Sequence, residues 1–366
     1  MAKQGRTLTE LAAEIERQYE LKHDYVAESG ALTMRDDAKS IELDGIGHFG
    51  ITQHARRQLA TKLDIPFAFF ERLEEKHPTL LAQNVNELAR REPQRNMVRT
   101  LDGNIRAFLS DRFRPLDNFD LANAVLPIIM EYRKDGLDVA SCEVTETKLY
   151  IKLILPWLDR ELPVPEGLKM GVGHNWFIRK ILGSVSVGNS EVGSGALSIN
   201  PGLFEKQCTN LAVFREEGFG RMHIGKKADD GEDGVQKYLT DETKRLDDAA
   251  IWAKVRDVMR ATMDGRVMDA LVEKMAAARG DVIAGDPVKV IEVFAKKNVL
   301  TQDEKGGLLK HLANAGEMNR YGLQWALTRL SQDVESYDRA SELERLGGRV
   351  IELPQGEWKE MLKMAA

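Results

Sequence analysis

The sequence feature that most restricts how this chain can fold is the pair Asp102-Gly103. It separates two short apolar arms within Asn96-Met-Val-Arg-Thr-Leu-Asp-Gly-Asn-Ile-Arg-Ala-Phe-Leu-Ser-Asp-Arg-Phe-Arg-Pro-Leu-Asp117. An aspartate–glycine pair between alternating apolar segments is among the strongest local signals for a β-hairpin, because the tight turn needs residues that tolerate positive φ. On the second arm Ile105, Ala107 and Leu109 alternate with Arg106, Phe108 and Ser110. Strict alternation would put a cation and an aromatic ring on one face. Arg112, Phe113 and Arg114 follow at once, and from Arg95 to Arg114 five arginines stand against two aspartates in a chain of net charge −6. Two readings fit this segment. The guanidinium groups and rings can hold a nucleic-acid strand, one binding phosphate and the other stacking on bases. Equally, Phe108 can pack under a helix while the arginines pair with nearby acids.

The size and composition narrow the classes. With 366 residues the chain can form two domains, or one large one with a helical extension. A content of 43% hydrophobic and 30% charged residues is that of an ordinary globular protein with material for a core, so neither metal nor disulfides are required for stability. Cys142 and Cys208 are single and far apart, which fits a reducing cytosol. No apolar run approaches the roughly 20 residues that span a bilayer. The opening residues Met-Ala-Lys-Gln-Gly-Arg-Thr-Leu-Thr-Glu carry no apolar signal segment. The expectation is a cytoplasmic protein without a membrane partner. Its acidic average argues against an all-over DNA coat and leaves room for a local basic groove.

Along the chain, Thr9 is positioned to cap a helix from Glu10 to about Leu21, and short strands are expected around Ser40-Ile-Glu-Leu. Thr52 can cap a helix through Leu63, and another helix is expected near residues 79 to 91. After the hairpin, Asp117 or Asn118 can cap a helix in which Pro127 marks a kink or end. Residues 137 to 155 read as a second hairpin turning near Thr145-Glu146-Thr147, with Lys148 and Lys152 on one face of its second arm. A third β unit, from Ile181 to Ile199, is interrupted by Gly188-Asn-Ser-Glu-Val-Gly-Ser-Gly195, and a helix from Pro201 to about Phe214 is expected after it. Lys226 to Asp233 is a polar run between Gly225 and Gly234 and reads as a mobile domain boundary. Beyond it the pattern is helical, with Leu323, Leu327, Leu330 and Val334 on one stripe. The fold class is therefore α+β, with residues 1–227 as a hairpin–helix core and residues 228–366 as a helical carboxy-terminal region.

No recognised catalytic motif is present. The glycines of Gly188 to Gly195 match neither a P-loop nor a dinucleotide fingerprint, and a turn or bulge between two strands explains them. Asn189, Ser190 and Glu191 are nonetheless polar residues offered at a tight loop, open to a ligand reading. The seven histidines form no zinc-type spacing, so no metal and no cofactor are expected. Cys208 reads as a small buried residue on the post-hairpin helix. Basic and aromatic residues recur in His174-Asn-Trp-Phe-Ile-Arg-Lys180, and again at Arg221, His223, Lys226 and Lys227.

Several segments are similar to a known family: Arg106-Ala-Phe-Leu-Ser-Asp-Arg-Phe-Arg-Pro-Leu-Asp-Asn118, Asn189-Ser-Glu-Val-Gly-Ser-Gly195, Cys208-Thr-Asn210, Tyr321-Gly-Leu, and Ser336-Tyr-Asp-Arg-Ala-Ser-Glu-Leu-Glu-Arg-Leu-Gly-Gly-Arg349. Together they resemble the phage/plasmid-like proteins of domain-of-unknown-function family 932, over about residue 40 to residue 353. Leu211 departs from the pattern, which has glycine after Cys-Thr-Asn. The resemblance implies a mobile element in a bacterial host and a role in that element's DNA. A further architectural similarity, to single-strand annealing proteins of the RecT, Red-beta and Erf class, implies an oligomer with a basic groove. The leading expectation is thus a non-catalytic, homo-oligomeric protein that binds single-stranded DNA and promotes annealing or recombination. Its candidate contacts are Arg99, Arg106, Phe108, Arg112, Phe113 and Arg114, then Lys148, Lys152, Arg179 and Lys180. The first alternative is an enzyme or a nucleotide- or small-ligand-binding protein using Asn189, Ser190 and Glu191 with Arg106 and Asp111. The second is a structural protein that assembles through its helical carboxy-terminal third.

Overall fold

The computed structural model describes residues 5–162, 179–206, 208–215, 218–221 and 241–365. Helix α1 (Leu8–Leu21) begins two residues earlier than expected. Thr7 accepts the Glu10 N–H, and the Glu10 carboxylate accepts the Thr7 N–H at 2.8 Å. This reciprocal box needs an acid three residues after the cap; Thr7 has Glu10, whereas Thr9 has Ala12.

The first sheet contains β1 (His23–Glu28), β2 (Leu32–Met34), β3 (Ser40–Leu43), β4 (Gly47–Ile51), β5 (Arg95–Leu101) and β6 (Asn104–Ser110), in the order β1-β5-β6-β4-β3-β2. Between β4 and β5 the chain forms α2 (Gln53–Lys62), α3 (Phe67–Lys76) and α4 (Pro78–Arg91). Thr52 caps α2 as its sequence position indicates. These helices cover one face of the sheet, and Ile41, Leu59, Phe70, Leu81, Val98 and Phe108 share one core beneath them. Asp102 and Gly103 both take positive φ (50° and 72°) and close the β5–β6 hairpin. The second arm does not alternate strictly. Pairing passes from Arg99↔Ala107 to Thr100↔Ile105, which leaves Arg106 as an extra, bulged residue. The bulge brings Ile105 and Phe108 into one core, while Ala107 and Leu109 pack in another with Val192.

Helix α5 (Asn118–Tyr132) leads to the second sheet and continues past Pro127. That sheet is built from β7 (Asp138–Val144), β8 (Leu149–Leu162), β9 (Arg179–Asn189), β10 (Leu197–Glu205), β11 (Asn210–Val213) and β12 (Phe219–Arg221). The first five are neighbours in chain order, and β12 also pairs with β10. The helix expected from Pro201 to Phe214 is not formed. Its first part is the end of β10 and its last part is β11, joined by a turn in which Thr209 has φ 54°. Cys208 therefore lies at that turn. Both strand segments are buried along their length, and a short apolar run buried on two faces carries no period to separate strand from helix.

The remaining helices are α6 (Asp241–Met263), α7 (Met268–Gly280), α8 (Pro287–Lys297), α9 (Gln302–Ala315), α10 (Arg320–Leu330), α11 (Tyr337–Glu352) and α12 (Gln355–Met364). One face of the second sheet packs on α1, α5 and α6 through Leu149, Ile151, Leu153, Val185 and Val187. On the other face, Leu203 and Phe214 share a core with Met268, Tyr321 and Ile351. The closest approach is at Gly348 on α11, where an added Cβ would lie 2.0 Å from the Val213 carbonyl oxygen. The architecture is α+β, strands filling the first two thirds and helices the last. The run expected to mark a domain boundary, residues 225 to 234, lies outside the described residues. No helix among those described is long and apolar enough to cross a membrane.

Candidate functional site

Four of the eight cations expected to meet a nucleic-acid strand, Arg99, Arg106, Lys152 and Arg179, are inside the protein. Arg99 is fully buried; it donates to Asp24 at 2.7 and 3.0 Å, to Asp117 at 2.8 Å and to the Glu191 carbonyl at 2.9 Å. Arg106 pairs with the Glu191 carboxylate, and both are buried. Lys152 lies 2.6 Å from Glu344, between the second sheet and α11. Arg179 pairs with Glu205, whose other oxygen accepts from the Tyr321 hydroxyl at 3.1 Å. Phe108 and Phe113 are 2% and 8% exposed, so neither can stack on a base. Arg114 is held by Asp247 and Asp248 of α6. Burial corrects the assignment of Arg99, Arg106, Lys152, Arg179 and the two rings as contacts, because a cation already desolvated and bonded to carboxylates cannot reach a phosphate without breaking that pairing; Arg114 is paired but 27% exposed. Arg112, Lys180 and the half-buried Lys148 keep exposed surface. Residues 174 to 178, His223, Lys226 and Lys227 lie outside the described residues.

The Asn189–Glu191 loop uses most of its polar groups internally. Glu191 accepts the Asn118 N–H at 2.7 Å, thereby capping α5 from another part of the chain. Asp117 makes no side-chain cap of its own; its carboxylate faces Arg99 and Lys22 instead. Burial raises the Asp117 pKa, but these two cations outweigh it and hold the carboxyl below the ordinary range. Ser190 donates to the Thr147 carbonyl and accepts from Ser194 N–H, each at 2.8 Å. Arg99, Arg106, Asp117 and Glu191 thus tie the first sheet to the second. Asp111, proposed beside this loop, is exposed at the end of the hairpin arm.

Asn189 differs from its neighbours. It donates to the Leu116 carbonyl and to Asn118 Oδ1, while its own buried Oδ1 has no partner. Asn189 also lines a cavity of about 190 Å³ between the second sheet and α11. Lys148 enters this cavity from the β7–β8 turn, Arg215 from the end of β11, and Arg345 from α11. Among the described residues no carboxylate lines it, and none of the three cations has an ion-pair partner. The remaining polar lining is Ser194, Ser198 and Asn200. The Arg345 guanidinium lies 5.8 Å from the Tyr150 ring centroid. At Gly188 a Cβ would come within 3.3 Å of Arg345 Nη2, so the missing side chain lets Arg345 lie against β9. Burial first, and Arg345 beside it, pull the Lys148 pKa below the usual lysine value; Glu342 and Asp338 pull the other way. Those two carboxylates are bonded elsewhere, to Arg339 and to Thr145 and Thr147.

Chemically, such a cleft attracts an anion. Ser194 stands near His54, but His54 Nε2 is directed at the Val192 carbonyl at 2.9 Å. Ser194 Oγ lies 3.3 Å from His54 Nε2 and 3.5 Å from Nδ1, longer than the roughly 2.6–3.2 Å of a nucleophile–base hydrogen bond. Among the described residues no group of three or more His, Cys, Asp or Glu side chains could hold a metal ion. A larger hollow of about 270 Å³ lies beside Arg17, Asp102, Arg106 and Glu146. It is lined by both signs of charge, and Arg17 is already bonded to Asp102 at 2.7 Å.

Lys148 and Asn189 were accessible to sequence reasoning, one as a basic hairpin residue and one as a loop amide. Arg215 and Arg345 were not, because nothing local in the chain joins positions 148, 189, 215 and 345. Comparison with protein-family models, with curated proteins and with solved structures yields no match for this chain.

Proposed function

We propose that this chain is a binding protein for a phosphate-bearing ligand, which it takes at the cleft between Lys148, Arg215 and Arg345. The observation that carries this reading is the grouping of three cations from three distant segments around one polar cavity, with no carboxylate partner among the described residues. Like charges brought together repel one another, and an anion between them removes that repulsion. Within the earlier alternatives this is the nucleotide- or small-ligand-binding reading, moved from the Asn189–Glu191 loop into the cleft beside it. Isothermal titration of the full chain with inorganic phosphate and pyrophosphate at low salt tests it. Binding that weakens at least tenfold in Arg345→Ala and in Lys148→Gln is expected. Absence of binding, or affinity indifferent to both substitutions, would refute it.

A second reading keeps the DNA role that the family resemblance implies: a cytoplasmic mobile-element protein in a bacterial host, self-associating and binding single-stranded DNA in annealing or recombination. The exposure of Arg215 at the cleft mouth favours it, since an open cation can meet a strand as well as a small molecule. Its signature is a linear fall of log affinity with log salt, with a slope that drops by about one unit for each phosphate-contacting cation removed. Sedimentation with and without an oligonucleotide separates self-association from DNA-driven assembly.

A further inference from the structure

We infer that the cleft selects a terminal phosphomonoester carried on a compact hydroxylated body, of which a pentose phosphate is the simplest example. This inference rests on the phosphate-binding reading above. Three cations converge on one small cavity, which matches a group that can hold two negative charges better than a diester that holds one. The second ionisation of a phosphomonoester falls near pH 6, so the dianion dominates at neutral pH. The rest of the lining specifies what lies behind the phosphate. Ser194, Ser198 and Asn200 present hydroxyl and amide groups, the complement of sugar hydroxyls. Among the described residues no aromatic side chain lines the cleft, so it has no platform for a nucleobase. A volume of about 190 Å³ lies below the roughly 300 Å³ at which drug-sized ligand pockets begin, and suits a ligand without a base.

The same chemistry occurs in a free sugar phosphate and at the phosphorylated end of a DNA strand. Full-length protein is titrated calorimetrically with inorganic phosphate, ribose 5-phosphate and ribose. In parallel, anisotropy compares one labelled single-stranded oligonucleotide bearing either a 5′-phosphate or a 5′-hydroxyl. Ribose 5-phosphate is expected to bind at least tenfold more tightly than inorganic phosphate, and ribose not to bind. Ser198→Ala should narrow the gap between the first two. A preference for the 5′-phosphorylated oligonucleotide would support the inference and identify strand ends as the source. Equal oligonucleotide affinities, with ribose 5-phosphate still preferred, would support it with a free sugar phosphate as the source. Equal affinity for phosphate and ribose 5-phosphate would overturn the inference and leave the phosphate-binding reading standing. No binding of any phosphate would overturn both.

Discussion

Replacing Arg106 by alanine separates a nucleic-acid contact from an internal ion pair. The Arg106 side chain is 8% exposed and its partner Glu191 7%, so truncation leaves a carboxylate almost fully out of water. Removing one partner of a buried pair costs about 3–5 kcal/mol. Glu191 retains the Asn118 N–H, which places the expected loss at the lower end, about 3 kcal/mol. With a urea m-value of about 3 kcal/mol/M, the unfolding midpoint should fall by about 1 M without a change in m. The double variant Arg106→Met with Glu191→Gln should recover part of that loss, because it leaves no buried charge and the glutamine oxygen can still accept the Asn118 N–H. The assay is urea denaturation followed by far-ultraviolet circular dichroism, alongside oligonucleotide anisotropy. An unchanged midpoint in Arg106→Ala together with a clear loss of DNA affinity would refute the reasoning and return Arg106 to the binding surface.

Gly348→Ala places a methyl group against the Val213 carbonyl, a backbone atom that cannot rotate away, so α11 should lift from β11; the expected loss is about 3 kcal/mol or more, read by urea midpoint and by faster proteolysis of the last third. Asp117 has a depressed pKa in the folded state, so its contribution is complete at neutral pH and disappears as pH falls through and below the ordinary carboxylate range, under about pH 4. Asp117→Asn should therefore be less stable at pH 7 and show a shallower acid decline, measured as urea midpoint against pH; equal slopes would count against the pairing with Arg99 and Lys22. In the proposed phosphate site the Lys148 ammonium, whose pKa burial lowers, meets the anion, so affinity should decline at a pH below that of an ordinary lysine, about 10.4. Lys148→Arg should move this alkaline limb upward in a calorimetric pH series, and an unmoved limb would exclude Lys148 as the titrating group.

Local chemistry settled a good part of this molecule. The Asp102-Gly103 turn, the Thr52 cap, the hairpin turning near Thr145–Thr147 and the helical last third each depend on a few adjacent residues, and the chain declares them. Where two local signals compete the result was close: Thr7 displaced Thr9 as a cap because only Thr7 has Glu10 three residues on. The alternation that paired Arg106 with Phe108 failed at a bulge, a register decision made between β5 and β6 and not within β6 alone. Tertiary structure alone decided the fate of the charges. A lysine or arginine on a strand looks the same in sequence whether its face meets water or a helix. Here α11 covers the face that carries Lys152, and the loop after β9 covers Arg99 and Arg106, so those cations became internal partners of Glu344, Asp117 and Glu191. Arg345 and Arg215 became neighbours of Lys148 for the opposite reason. Packing of α11 on the second sheet brought them round one cavity, and no carboxylate among the described residues lines it.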